Sequence, residues 1–136
     1  MAAALGSALW LQQRGESDAT VVDCDLLVGP CEFTTNAGVA WLELSPRPIS
    51  SASPFQVNVS YPGDAPSNIW IDLQGKEMYM GINQVTLERT DESQSKHWKA
   101  EANLGICTTG IMRWVLNLIL EQKDGQEVYR FEFDAR

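Results

Sequence analysis

The chain has 136 residues, a formal net charge of −8 and three cysteines. With 44% hydrophobic and 21% charged residues it has the composition of one globular domain, which excludes wholesale disorder. The negative charge excludes a nucleic-acid-binding surface, because such a surface needs an excess of lysine and arginine.

Residues 1–19 form an apolar segment followed by a polar linker. The apolar run at residues 2–11 is far shorter than the roughly 20 residues of a membrane-spanning helix. It also lacks the basic residues that precede the core of a signal peptide. One interpretation is a helix that lies on the domain. The other, which we favour, is the last part of a membrane anchor or signal sequence that starts upstream of Met1.

From residue 20 onwards, apolar residues alternate with polar ones, which is typical of half-buried strands. Turn signals such as Pro62-Gly63 and Asp124-Gly125 separate these runs. No helical pattern follows residue 14. The predicted strands cover residues 20–27, 31–35, 39–44, 55–61, 68–73, 76–87, 98–104, 112–120 and 129–133, with the first two paired around residues 28–30.

Seven to nine short antiparallel strands with regular turns indicate an all-β, immunoglobulin-like β-sandwich for residues 20–136. An up-and-down barrel is the main alternative. The alternation also predicts the core, because one face of each strand must be buried. The predicted core residues are Phe55, Val57, Val59, Ile69, Ile71, Trp114, Leu116 and Leu118.

Catalytic residues are poorly represented. The single histidine, His97, stands at the start of a predicted strand and is more typical of an ordinary surface residue than of a general base. No nucleophile elbow and no phosphate-binding glycine loop are present. We therefore expect that the protein is not an enzyme.

The cysteines allow at most one internal disulfide. Cys24 and Cys31 flank a Gly-Pro turn and could face one another, and Cys31 could equally pair with Cys107 between the sheets. We place Cys24–Cys31 slightly ahead, because that pair requires no assumption about strand order. A structural zinc site is unsupported, since no second Cys/His pair completes four ligands.

Three methionines provide thioether sulfur. Met78 and Met80 share one face of a predicted strand just before Gly81, and Met112 starts the longest predicted strand. The residues alone favour core filling, a common use of methionine. The alternative is a Cu(I) site, because thioether and thiolate sulfurs are soft ligands that suit this ion.

The order of several motifs resembles the YtkA-like and FixH-like families. These motifs are a Pro-x-Pro break at residues 46–48, Phe-x-Val-x-Val at 55–59, Ile-x-Ile-Asp-Leu-x-Gly-x-x-Met-x-Met-Gly at 69–81, and Met-x-Trp-x-Leu at 112–116. The likeness covers about residues 39–120. It is closest to a branch of proteobacterial proteins with paired cysteines near the start and a further cysteine before the Met-x-Trp strand.

The resemblance implies an immunoglobulin-like domain in the periplasm, anchored to the cytoplasmic membrane through a segment upstream of the domain. FixH-like relatives are associated with copper delivery and oxidase assembly, so it also implies a copper or oxidase assembly protein as partner. The first hypothesis is then a Cu(I)-binding domain with Met78, Met80, Met112 and Cys107 as ligands. The second is a metal-free protein-interaction module, in which residues 78–80 and Trp70 form an apolar docking patch.

Overall fold

The computed structural model describes residues 19–50, 53–63, 66–77, 82–90, 96–104, 111–123 and 125–135. These residues form ten strands and no helix, so none of them belongs to a helix that could cross a membrane. The strands are β1 (Ala19–Val21), β2 (Cys31–Thr35), β3 (Gly38–Ser45), β4 (Phe55–Ser60), β5 (Asn68–Gly75), β6 (Gln84–Thr86), β7 (Glu88–Arg89), β8 (His97–Ala102), β9 (Met112–Gln122) and β10 (Gly125–Ala135).

The strands make two five-stranded sheets. The first has the order β1-β10-β9-β5-β6 and the second the order β2-β3-β4-β8-β7. Within them, β10-β9-β5 and β3-β4-β8-β7 reproduce the G-F-C and A-B-E-D sheets of the immunoglobulin fold. The predicted all-β sandwich is therefore confirmed, with ten strands among the described residues.

The core lies between the two sheets and follows the alternation of the strands. All eight predicted core residues are at most 2% exposed. In β4, for example, Phe55, Val57 and Val59 face inward, whereas Gln56 is exposed. Because successive side chains of a strand point to opposite faces, this pattern fixes the register of each strand against the core.

The first strands differ from the prediction of a hairpin. β1 ends at Val21, and residues 22–30 form an irregular connection instead of a strand. β1 pairs with β10, in parallel, and β2 pairs with β3. The apolar residues of this connection had suggested a strand. Leu26 is indeed buried, but it lies in a turn and not in a strand.

The strand connections fall at two ends of the sandwich. The disulfide end carries the β1–β2, β3–β4, β5–β6 and β8–β9 connections and the end of β10. The hairpin end carries the β2–β3 turn and the β9–β10 hairpin, in which Gln122 pairs with Gly125 as the Asp-Gly signal predicted. Gly125 has a φ of +135°, a region that side-chain-bearing residues rarely adopt.

A polar network joins the two sheets at the hairpin end. The Tyr129 hydroxyl donates to Glu127 Oε1 at 2.6 Å, and the backbone N–H of Asn36 donates to the same oxygen at 3.1 Å. Gln122 Nε2 donates to Glu127 Oε2 at 2.7 Å and to the Tyr61 hydroxyl at 3.1 Å. One carboxylate thus accepts hydrogen bonds from the β2–β3 turn of one sheet and from β9 and β10 of the other.

Candidate functional site

All three sulfur-bearing residues that the structure describes, Cys24, Cys31 and Met112, belong to the disulfide end. Cys24 lies in the β1–β2 connection, and Cys31 and Met112 are the first residues of β2 and β9. Met78, Met80 and Cys107 belong to the β5–β6 and β8–β9 connections, and all three lie outside the described residues.

The disulfide joins Cys24 to Cys31, the pair that the sequence analysis placed first, with their Cα atoms 5.9 Å apart. The connection that it closes is compact. Asp25 Oδ1 accepts from the backbone N–H of Leu27 at 2.9 Å, and the Asp25 carbonyl accepts from that of Val28 at 3.1 Å. The alternative Cys31–Cys107 pairing is wrong, because Cys31 is already bonded.

Met112 lies in the hydrophobic core. Its side chain is 7% exposed and belongs to the same buried cluster as the residues between the sheets, and its neighbour across the strand pair is Ala135. The position agrees with the first interpretation of this methionine, which was core filling.

Hydrogen bonds join the β5–β6 connection to the β8–β9 connection at the residues where these connections begin and end. Asn83 Nδ2 donates to the Asn103 carbonyl at 2.8 Å, which joins the end of the β5–β6 connection to the start of the β8–β9 connection. The backbone N–H of Lys76 donates to the Arg113 carbonyl at 2.9 Å, which joins their other ends. The two connections are therefore adjacent at both of their ends.

Charged side chains cover the adjoining surface of β9 and β10. Arg113 Nε lies 3.0 Å from Glu132 Oε1 and its Nη1 lies 3.2 Å from Asp134 Oδ1, while Lys76 Nζ lies 3.0 Å from the same Glu132 oxygen. The hydrogen bond from Lys76, followed by that from Arg113, lowers the pKa of Glu132. The hydrogen bonds to Glu132 and then Asp134 raise the pKa of Arg113. No sequence motif indicates this network, because it depends on the pairing of strands.

Two neighbouring cavities open at the disulfide end and share Leu27 and Asp134. One, of about 300 Å³, is bordered by the disulfide, the aspartates beside Cys24 and the Arg113 network. The other, of about 420 Å³, is mainly apolar and is lined by Pro48, Ile49 and Ile111.

Exposed apolar side chains lie at the same end, and one of them, Ile111, lines the apolar cavity. Val28 and Ile82 are 81% exposed and Ile111 is 61% exposed, and all three lie in connections at the disulfide end. Trp70 does not belong to this surface. It lies in the middle of β5, half-buried, with Ile119 as its neighbour on β9. The predicted patch of Trp70 with residues 78–80 therefore has its tryptophan about 17 Å along the strand from the end of β5.

Among the described residues, no group of three or more histidine, cysteine, aspartate or glutamate side chains could hold a metal ion. No protein-family model matches the sequence, and no curated protein matches it significantly. The resemblance to the YtkA-like and FixH-like families stays a prediction.

Proposed function

We propose that the protein is a non-catalytic binding domain that uses the disulfide end, and that its ligand is Cu(I). The observation that supports this proposal is that Cys24, Cys31 and Met112 lie at this end and that, in the sequence, Met78, Met80 and Cys107 follow β5 and β8, which both end there. Soft sulfur ligands favour Cu(I) over the harder divalent ions.

The ligand set in this proposal is Met78, Met80 and Cys107. The disulfide occupies the other two cysteines, and core packing occupies Met112. Covalent geometry permits a meeting of the three sulfurs. Met80 is three residues from Asn83 and Cys107 is four from Asn103, so their Cα atoms can lie at most about 11 and 14 Å from those of two residues that are joined by a hydrogen bond from the Asn83 side chain to the Asn103 carbonyl.

The same proposal includes the periplasm as the location and a membrane anchor upstream of the domain. The Cys24–Cys31 disulfide supports an oxidising compartment, where such bonds form and persist. A copper or oxidase assembly protein is the proposed partner, as the family resemblance implies.

The proposal is tested by titrating the disulfide-bonded protein with Cu(I) against a competing chelator under anaerobic conditions. Wild type should bind one ion per chain, and Met80→Leu and Cys107→Ser should each weaken binding at least about tenfold, because leucine lacks a thioether and serine a thiolate. Met112→Leu is the matched control and should bind like wild type. Cu(I) affinity no higher than that of an unrelated β-sandwich would refute the proposal.

A second candidate is a metal-free protein-interaction module that uses the same end. The apolar cavity of about 420 Å³, together with the exposed side chains of Val28, Ile82 and Ile111, favours it. For this function, Ile111→Glu should abolish partner capture while leaving Cu(I) titration unchanged. If capture of the partner protein depends on Cys107 and on added Cu(I), the two candidate functions are one, namely Cu(I)-dependent binding of a partner.

A further inference from the structure

The outer face of the second sheet carries an exposed tryptophan. In β3, Ala40, Leu42 and Leu44 face the core, so the alternating Trp41 points away from it and is 43% exposed. A single exposed apolar residue is common on protein surfaces and has no meaning by itself. Trp41 differs from such a residue because polar side chains lie next to it on the same face of the sheet.

Polar side chains stand beside Trp41 in two rows across the sheet. Glu32 of β2 and Ser60 of β4 pair with Trp41 from its two sides, and His97 of β8 pairs with Ser60, so these residues form one row. In the next row Glu43 pairs with Asn58, and Asn58 pairs with Lys99. Neighbouring strands are about 4.8 Å apart, so this geometry holds the polar groups within one ligand's width of the indole.

A shallow cavity of about 340 Å³ lies over these rows and is lined by Pro30, Trp41, Glu43, Asn58, Val59, Ser60 and His97. Its volume is near the lower limit of small-molecule sites and is too small to serve as the core of a stable protein interface. The charges around it are of both signs. Arg47 Nη1 lies 3.3 Å from Glu43 Oε2, and Glu32 and Lys99 stand at opposite sides of the two rows, so the cavity does not select strongly for one charge. An uncharged ligand fits it best.

We propose that this cavity binds a saccharide. A pyranose ring has an apolar face of C–H groups that can stack on the Trp41 indole, and hydroxyl groups around its edge. The Asn58 amide and the Ser60 hydroxyl can each donate and accept hydrogen bonds, and the Glu43 carboxylate accepts them. The volume accommodates one or two rings, and a longer chain would continue along the open sheet.

The test uses isothermal titration calorimetry of the intact protein with soluble hexasaccharides of β-1,4-linked glucose, β-1,4-linked N-acetylglucosamine and α-1,4-linked glucose. At least one should bind with a Kd below about 1 mM. Trp41→Ala and Asn58→Ala should each weaken that binding at least about tenfold. Trp70→Phe, on the outer face of the other sheet, is the control and should leave it unchanged.

Absence of binding by all three hexasaccharides at 10 mM overturns the proposal. So does binding that survives both substitutions, because the sugar would then occupy another surface. A proline-rich peptide is the competing ligand for an exposed tryptophan. If such a peptide binds with a dependence on Trp41 and no hexasaccharide does, the cavity is a peptide site and the saccharide proposal is wrong. Unchanged thermal unfolding of the Trp41→Ala variant confirms that a loss of binding is local.

Discussion

Removing one hydroxyl group at the hairpin end should destabilise the sandwich measurably. In Tyr129→Phe the 2.6 Å hydrogen bond to Glu127 is lost, and the ring stays in a site where it is only 6% exposed. Hydrogen bonds to charged groups contribute about 1.5–3 kcal/mol, so the expected loss is about 2 kcal/mol. Tyr61→Phe is the matched control. Its hydroxyl accepts a neutral bond from Gln122 at 3.1 Å, which predicts a smaller loss of about 1 kcal/mol.

The assay is urea denaturation at pH 7 with intact disulfide. An unchanged slope with a lower midpoint would show that the free energy of unfolding has changed without a change in the unfolded state. A loss of about 2 kcal/mol is a large part of the total stability of a small domain. If Tyr129→Phe lies within about 0.5 kcal/mol of wild type, or if Tyr61→Phe costs more, the Glu127 network does not join the sheets as described.

The same variant predicts a pH dependence. Burial, followed by the hydrogen bond to Glu127, raises the pKa of Tyr129 above its ordinary value of 10 in the folded protein. A raised folded-state pKa gives stability that is fully present below pH 10 and is lost as the pH rises from there through the folded-state value. Wild type should therefore lose more stability than Tyr129→Phe between pH 9 and 11. A gap that stays constant over this range would contradict the assigned cause.

Three further experiments test other parts of the structure. Reducing the Cys24–Cys31 disulfide, whose cysteines are separated by 7 positions, should lower the unfolding free energy by about 2 kcal/mol in urea titrations, because the loop is short. Met112→Ala should reduce the free energy of unfolding by about 2–5 kcal/mol, and Met112→Leu should reduce it by less than about 1.5 kcal/mol. Calorimetry of both variants measures these losses, and equal losses would contradict packing of Met112 in the core. Gly125→Ala should reduce the free energy of unfolding by about 1–3 kcal/mol, because alanine is strained at a φ of +135°, and should therefore lower the thermal midpoint. An unchanged midpoint would show that alanine is not strained there.

Local alternation was sufficient to predict the fold class and the core. In β4 and β9 every second side chain is apolar, and burial of that face leaves little freedom of register. The region after β1 was predicted wrongly because Val22, Leu26 and Leu27 are as apolar as strand residues, and only the turn closed by the disulfide decides their positions. Apart from the β9–β10 hairpin, strand partners could not be predicted either, since pairing between distant segments leaves no local pattern.

The candidate sites depend on that unpredicted pairing. The sequence indicated sulfur residues one by one, but the common end of Cys24, Cys31 and Met112 follows from the directions of β2 and β9. The Arg113–Glu132 contact follows from the register of β9 against β10. Trp41 attracted no functional prediction because an aromatic residue in an alternating run is typical of any strand, and only the register reveals Ser60 and His97 beside it.

The parallel pairing of β1 with β10 has a geometric consequence for any tether. Ala19 lies opposite Val128, three residues after the hairpin turn, whereas Ala135 closes β10 at the other end. Seven residues of strand separate the two levels, a rise of about 23 Å. Whatever precedes β1 therefore joins the domain nearer to the hairpin end than to the end of β10. A support attached there would leave the end of the sandwich that carries Ala135 facing away from it.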